Sequence, residues 1–182
     1  VGILLAAGLG TRYDPTGREL KLLAPARRGP HLGTPIAAAA ARTLLGAVPR
    51  ATAVVRPADS DAQRQLHALL RSEGCTLAVC HDADAGMSAS IVRGVQAEER
   101  AGGWVIALAD MPAIEVSTVR AVVGLLLEGA LTAAPICRGQ RGHPYCAAEA
   151  SPMGSAGYPG PWPFALAPSP APTGPGPHRW PA

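Results

Sequence analysis

A chain of 182 residues that is 48% apolar is long enough for one aliphatic core, and a 4% aromatic content excludes a core built on rings. The net charge of +3 is spread along the chain with no Lys/Arg run interleaved with aromatics, which excludes a nucleic-acid surface of the usual basic kind. No stretch reaches the ~20 consecutive apolar residues of a membrane span, so no membrane partner is expected.

The first run, Val1–Ala6, reads as a strand. It lacks the basic flank of a signal peptide, and the expected compartment is the cytoplasm. Leu4-Leu5-Ala6-Ala7-Gly8-Leu9-Gly10-Thr11-Arg12 follows at once. Gly8 and Gly10 let the backbone turn tightly and approach a phosphate with no Cβ in the way. The exposed N–H groups of such a loop form an anion nest, and Arg12 and Lys21 add fixed positive charge. An ordinary Gly-rich turn is the plainer alternative. A Walker A loop is absent. A dinucleotide fingerprint is incomplete, because its third glycine falls on Tyr13 and Arg56, not an acid, ends the second strand.

Helix Pro35–Gly46, strand Ala51–Arg56, helix Asp59–Ser72 and strand Cys75–Cys80 come next. Cys75, Cys80, Cys137 and Cys146 form no CxxC pair. Cys80 and His81 would point to opposite faces of a strand, so reduced thiols are expected in place of a metal or disulfide site. Asp82 and Asp84 read as a solvated loop. Gly86-Met87-Ser88-Ala89-Ser90 then opens a helix, Ser88–Arg100, with Ser88 as its expected N-cap. The free N–H and hydroxyl groups of that terminus suit a base edge or a ribose as well.

Strand Trp104–Ala109 ends in Asp110, and Met111-Pro112 stops the ladder. A carboxylate at the end of a central strand suits Mg²⁺ on polyphosphate oxygens, or else caps a turn. Helix Val116–Leu127 and strand Leu131–Cys137 follow. Arg138-Gly139-Gln140-Arg141-Gly142-His143-Pro144 reads either as a loop that clasps an anionic second substrate or as a surface hairpin. Near-continuous apolar strands alternating with helices predict a three-layer, doubly wound (Rossmann-like) α/β fold with a mostly parallel sheet. Its ligands belong beyond the carboxyl ends of the strands. Residues 1–148 are expected to form this domain. Residues 149–182, dense in Pro and Gly, are expected to be a disordered tail.

LLAAGLGTR with Lys21, GMSAS, LADMP and RGQRGHP, in that order over about residues 1–148, resemble the MobA-like nucleotidyltransferases, and within them the molybdenum cofactor cytidylyltransferases. The resemblance implies a nucleotide-diphospho-sugar transferase-like fold. It implies transfer of CMP from CTP, or GMP from GTP, to a molybdopterin-type phosphate, with release of pyrophosphate. Leu5, Ala6, Ala7, Gly8, Gly10 and Thr11 would line the nucleotide site, with Arg12 and Lys21 as catalytic cations. Gly86, Ser88 and Ser90 would reach base and ribose, Asp110 would hold Mg²⁺, and Arg141, Gly142 and His143 would face the acceptor. A molybdenum hydroxylase or its maturation factor is the implied protein partner. The family's GDxGAR-like stretch and late acidic segment have no counterpart, so a final strand and a second metal carboxylate are expected to be missing. The composition after about residue 146 resembles a shifted reading frame or a truncation. The other readings are transfer to a different small phosphorylated acceptor, and a nucleotide- or cofactor-holding protein without turnover. The poor dinucleotide fingerprint argues against an oxidoreductase.

Overall fold

Four of the apolar runs become the parallel centre of a sheet. The computed structural model describes residues 1–8, 10, 13, 14, 19–137 and 140–148. Strands β1 (Gly2–Leu5), β2 (Ala51–Val55), β3 (Thr76–Val79) and β4 (Gly103–Leu108) lie in the order β3-β2-β1-β4. They pair in parallel, with Leu5 opposite Val54 on one side and Leu108 on the other. β1 and β2 are buried along their whole length, because helices cover both faces.

Helices α1 (Ile36–Leu45), α2 (Asp61–Ser72) and α4 (Val116–Leu127) close one face through Leu44, Leu66, Leu70, Val119 and Val122. Helix α3 (Met87–Ala97) closes the other with Ile91, beside Trp104 and Tyr145. The architecture is therefore the expected three-layer α/β arrangement. In α1 five consecutive alanines, Ala37–Ala41, are buried. They favour helix at no rotamer cost, and their small side chains let the helix lie close on the sheet. Ser60 caps α2 by accepting from the Gln63 N–H at 3.2 Å.

The sheet departs from expectation at its far side. The run Leu131–Cys137 is two short strands, β5 (Thr132–Ala133) and β6 (Ile136–Cys137). Pro135 falls between them and has no N–H to give a ladder. β6 pairs with β7 (Gln140–Arg141) as a separate antiparallel pair. A strand that the sequence reading did not foresee, β8 (Tyr145–Ala148), inserts antiparallel between β4 and β5. The expected tail, residues 149–182, lies outside the described residues. Among the described residues no helix is long and apolar enough to cross a membrane.

Candidate active site

The chain order creates a crevice. After β1 the chain moves to β2 and β3 on one side of β1, and after α3 it crosses to β4 on the other. Loops leaving the carboxyl ends of β1 and β4 therefore diverge, which is where ligands lodge in doubly wound sheets. A cleft of about 480 Å³ opens at this point. The glycine loop contributes Leu5, Ala7, Gly8 and Gly10 to its wall, and the end of β4 contributes Leu108 and Asp110. Lys21 and Leu22 line it from a 3₁₀ turn, Lys21–Leu23, and Gly86, Met87 and Ser90 line it from the start of α3.

Local structure explains how Lys21 reaches this cleft from nine residues past Arg12. The N–H groups of Tyr13 and Asp14 bond back to the Gly10 carbonyl at 2.7 and 3.3 Å, and Glu19 donates its N–H to Asp14. Leu20 and Leu22 are buried on either side of Lys21 and anchor the turn in the core. The Lys21 Nζ then stands 3.0 Å from Asp110 Oδ2. Gly10 has φ 65, and a Cβ there would meet the Lys21 side chain at 3.6 Å. The ammonium, the carboxylate and the glycine loop thus share one opening.

The turn after Asp110 is buttressed from outside the cleft. Gly29, at φ +97, lies so close that a Cβ would be 2.7 Å from the Ala113 Cα and from the Pro112 carbonyl oxygen. Only a glycine permits both that conformation and that approach.

Other expected residues divide. Ala6 is buried, and its N–H is spent on the Val54 carbonyl at 2.8 Å, so it extends the sheet and does not line the cleft. Ser88 does not cap α3. The cap is Gly86 at φ 111, with no side-chain cap bond, and Ser88 sits inside the first turn away from the cleft lining, whereas the buried Ser90 faces it. With Gly86 at positive φ as the cap, the helix starts at Met87, two residues earlier than a Ser88 cap would put it. Thr11 and Arg12 lie outside the described residues. Arg141, Gly142 and His143 stand beyond the cleft wall.

In that neighbouring loop the Arg141 guanidinium stacks 5.8 Å from the Tyr145 ring centroid, and the His143 ring lies 5.5 Å from the same ring. His143 Nδ1 and Tyr145 Oη are buried with no hydrogen-bond partner among the described residues. Burial pushes the Tyr145 hydroxyl up to about 12. Burial also pushes His143 below its ordinary value, while the Asp110 carboxylate pulls it the other way. The unfolded chain therefore takes up a proton on this residue more readily than the folded one. The stability contributed by neutral His143 is complete above the ordinary value of 6.5 and is lost as pH falls through and below it. Thermal midpoints should consequently fall more for the parent chain than for His143→Gln between about pH 7.5 and about pH 5.5. Parallel midpoint-against-pH curves for the two proteins would contradict this.

Reading the residues alone missed Arg56 and the role of Asp84. Both line the cleft. Asp84 is exposed as a solvated loop residue should be, but it pairs with Arg56 at 2.7 Å, and the guanidinium holds its carboxyl below the usual range. A basic residue at the end of a strand was the available signal.

The sequence profile of the MobA-like NTP transferase domain matches residues 2–155. No curated protein matches the sequence. Solved structures do. A nucleotidyl transferase from Methanothermobacter thermautotrophicus is similar at TM-score 0.61 and 23% identity, over 81% of this chain and 70% of that one. Rv0371c from Mycobacterium tuberculosis, in complex with manganese, is similar at TM-score 0.58 and 22% identity, over 81% and 69%. A CMP:2-keto-3-deoxy-manno-octonic acid synthetase complexed with CTP follows at TM-score 0.55 and 14% identity, over 74% and 50%. At these identities the likeness is one of fold.

Proposed function

We propose that this chain, which belongs to the MobA-like NTP transferase family, transfers CMP from CTP to the phosphate of a molybdopterin-type acceptor and releases pyrophosphate. The observation that carries the reading is the contact of Lys21 Nζ with Asp110 Oδ2, 3.0 Å apart, in the cleft that Gly8 and Gly10 also line. A cation, a lone carboxylate and a glycine loop at one opening are what a polyphosphate with a divalent ion requires.

The donor set fits Mg²⁺. Among the described residues no group of three or more His, Cys, Asp or Glu side chains could enclose a metal. Asp110 is a single, half-exposed carboxylate. Mg²⁺ keeps several waters and is commonly held by one or two carboxylates plus substrate phosphates, so Asp110 would hold it here. When bound, the ion neutralises charge on the polyphosphate and on the departing pyrophosphate.

The rest is positioning by the chain. In the reaction an acceptor phosphate oxygen forms a bond to the α-phosphorus as the bond from that phosphorus to the β-bridging oxygen breaks. No covalent enzyme intermediate is needed. The backbone at Gly8 and Gly10 receives the polyphosphate, and Lys21 stabilises the charge that develops on it. Arg12, next in sequence to that loop, adds a second cation in this reading. Gly86 and Ser90 at the start of α3 face the base and ribose. Arg141, His143 and the adjoining Gly142 offer the acceptor a partly desolvated, cationic approach. The free thiols of Cys75, Cys80 and Cys146 fit the reducing cytoplasm, where a molybdenum hydroxylase or its maturation factor would receive the product.

Pyrophosphate release from CTP, GTP, ATP and UTP, each with Mg²⁺ and a molybdopterin-type acceptor, tests the proposal. The expected result is release that needs the acceptor and is fastest with CTP. Release fastest with GTP would replace cytidylyl by guanylyl transfer. No release with any nucleotide would remove the reading.

A further inference from the structure

Arg56 leaves the carboxyl end of β2, with its side chain only 16% exposed. Its Nε donates to the Ala7 carbonyl at 2.7 Å, and its Nη2 donates to Asp84 Oδ1 at 2.7 Å. Its own carbonyl oxygen lies 2.8 Å from Nε2 of the buried His67 in α2. One residue therefore ties the glycine loop to the connection between β3 and α3, both of which line the cleft.

The bond to Ala7 matters more than its energy suggests. In a planar trans peptide the C=O and the following N–H point in opposite directions. Fixing the Ala7 oxygen fixes the direction of the Gly8 N–H. Gly8 cannot set that direction itself: it has no side chain, and nothing lies within 4 Å of where a Cβ would stand. The Arg56 fork holds the oxygen of that peptide directly.

We propose that Arg56 is the positioning residue of the phosphate loop: it presets the Ala7–Gly8 peptide for the polyphosphate of a nucleoside triphosphate, and Asp84 keeps its fork in register. This rests on reading the cleft as a triphosphate site. The role depends on geometry as well as charge. A lysine keeps the charge but has no paired donors at fixed angles to serve a carbonyl and a carboxylate together.

The test compares Arg56→Lys and Asp84→Asn with the parent chain, using CTP with Mg²⁺ as the probe. Three quantities are read: pyrophosphate release against CTP concentration, the Gly8 amide resonance in ¹⁵N spectra without ligand, and the thermal midpoint. For Arg56→Lys the CTP KM rises about tenfold while kcat falls much less, as expected for loss of a charge-assisted contact that organises ground-state binding. The Gly8 amide shifts. Asp84→Asn raises KM by a smaller factor, about threefold, and its exposed position leaves the midpoint unchanged, so it carries the comparison even if Arg56→Lys folds poorly. A parent-like KM in both variants overturns the proposal while the triphosphate reading stands. If the parent chain neither binds nor turns over any nucleotide, the reading falls instead. The Gly8 amide then decides: unmoved in Arg56→Lys, it overturns the positioning role, and shifted, it upholds that role for whichever anion the loop receives.

Discussion

Asp110→Asn should lower metal-dependent pyrophosphate release by about 10²–10³-fold in kcat/KM, the usual cost of removing one preorganised charge from a transfer site. The amide keeps the shape of the side chain and loses the charge that would hold Mg²⁺. The fold should not notice. Lys21 and Asp110 form a half-exposed pair, and such pairs contribute about 0–1 kcal/mol to stability. The expected signature is thus a large kinetic loss at an unchanged thermal midpoint, measured on the same preparation. Turnover within a factor of about two of the parent would show that Asp110 is a turn residue and not a metal ligand. A midpoint that fell with the activity would assign it a structural role.

The largest stability effect is expected at Gly94 in α3. Exchanging a helical glycine for alanine normally stabilises by about 1 kcal/mol. Here a Cβ would stand 2.5 Å from Ile3 Cγ2 and 3.0 Å from Val54 Cγ2. Ile3 and Val54 are fully buried on the two central strands and have nowhere to withdraw. Overpacking of this kind costs about 1–3 kcal/mol, which outweighs the gain in propensity. Gly94→Ala should therefore destabilise, and Gly94→Leu should do so more severely. Because α3 also carries Gly86 and Ser90 to the cleft, the displaced helix should weaken nucleotide binding as well. Urea unfolding decides the matter. A Gly94→Ala chain as stable as the parent would mean that the side chains beneath the helix can rearrange.

What could be read from the residues follows from where the physics is local. β1 to β4 are unbroken aliphatic runs, and burial on both faces leaves that imprint directly. Helix α4 was legible to the residue, Val116–Leu127, because its flanks are polar or turn-forming. The glycine loop and Asp110 could be assigned to one crevice because both follow the carboxyl ends of strands, where ligands lodge in a doubly wound sheet. β8 was not legible: Tyr-Cys-Ala-Ala is short, and its partner β4 lies some 40 residues earlier. The break at Pro135 was visible in principle, since a proline cannot sit in a central ladder. The start of α3 turned on the sign of one φ angle at Gly86, which no side chain announces. Arg56 was noticed only for not being acidic. Its partners, the Ala7 carbonyl and Asp84, are brought to it by two other segments of the chain, and no local pattern records that meeting.

The position of β8 has a consequence for how the molecule assembles. β5 touches the rest of the sheet only through β8, and β8 follows it in the chain. β5 can therefore complete its sheet pairing only once β8 has been made. Until β8 arrives, Trp104, Val105 and Ile106 belong to a rim with unpaired amide and carbonyl groups, the kind of surface on which two nascent copies stick together. The segment that immediately precedes β8 carries Arg141 and His143. The same pairing that seals the rim therefore also fixes where the segment carrying those side chains joins the sheet.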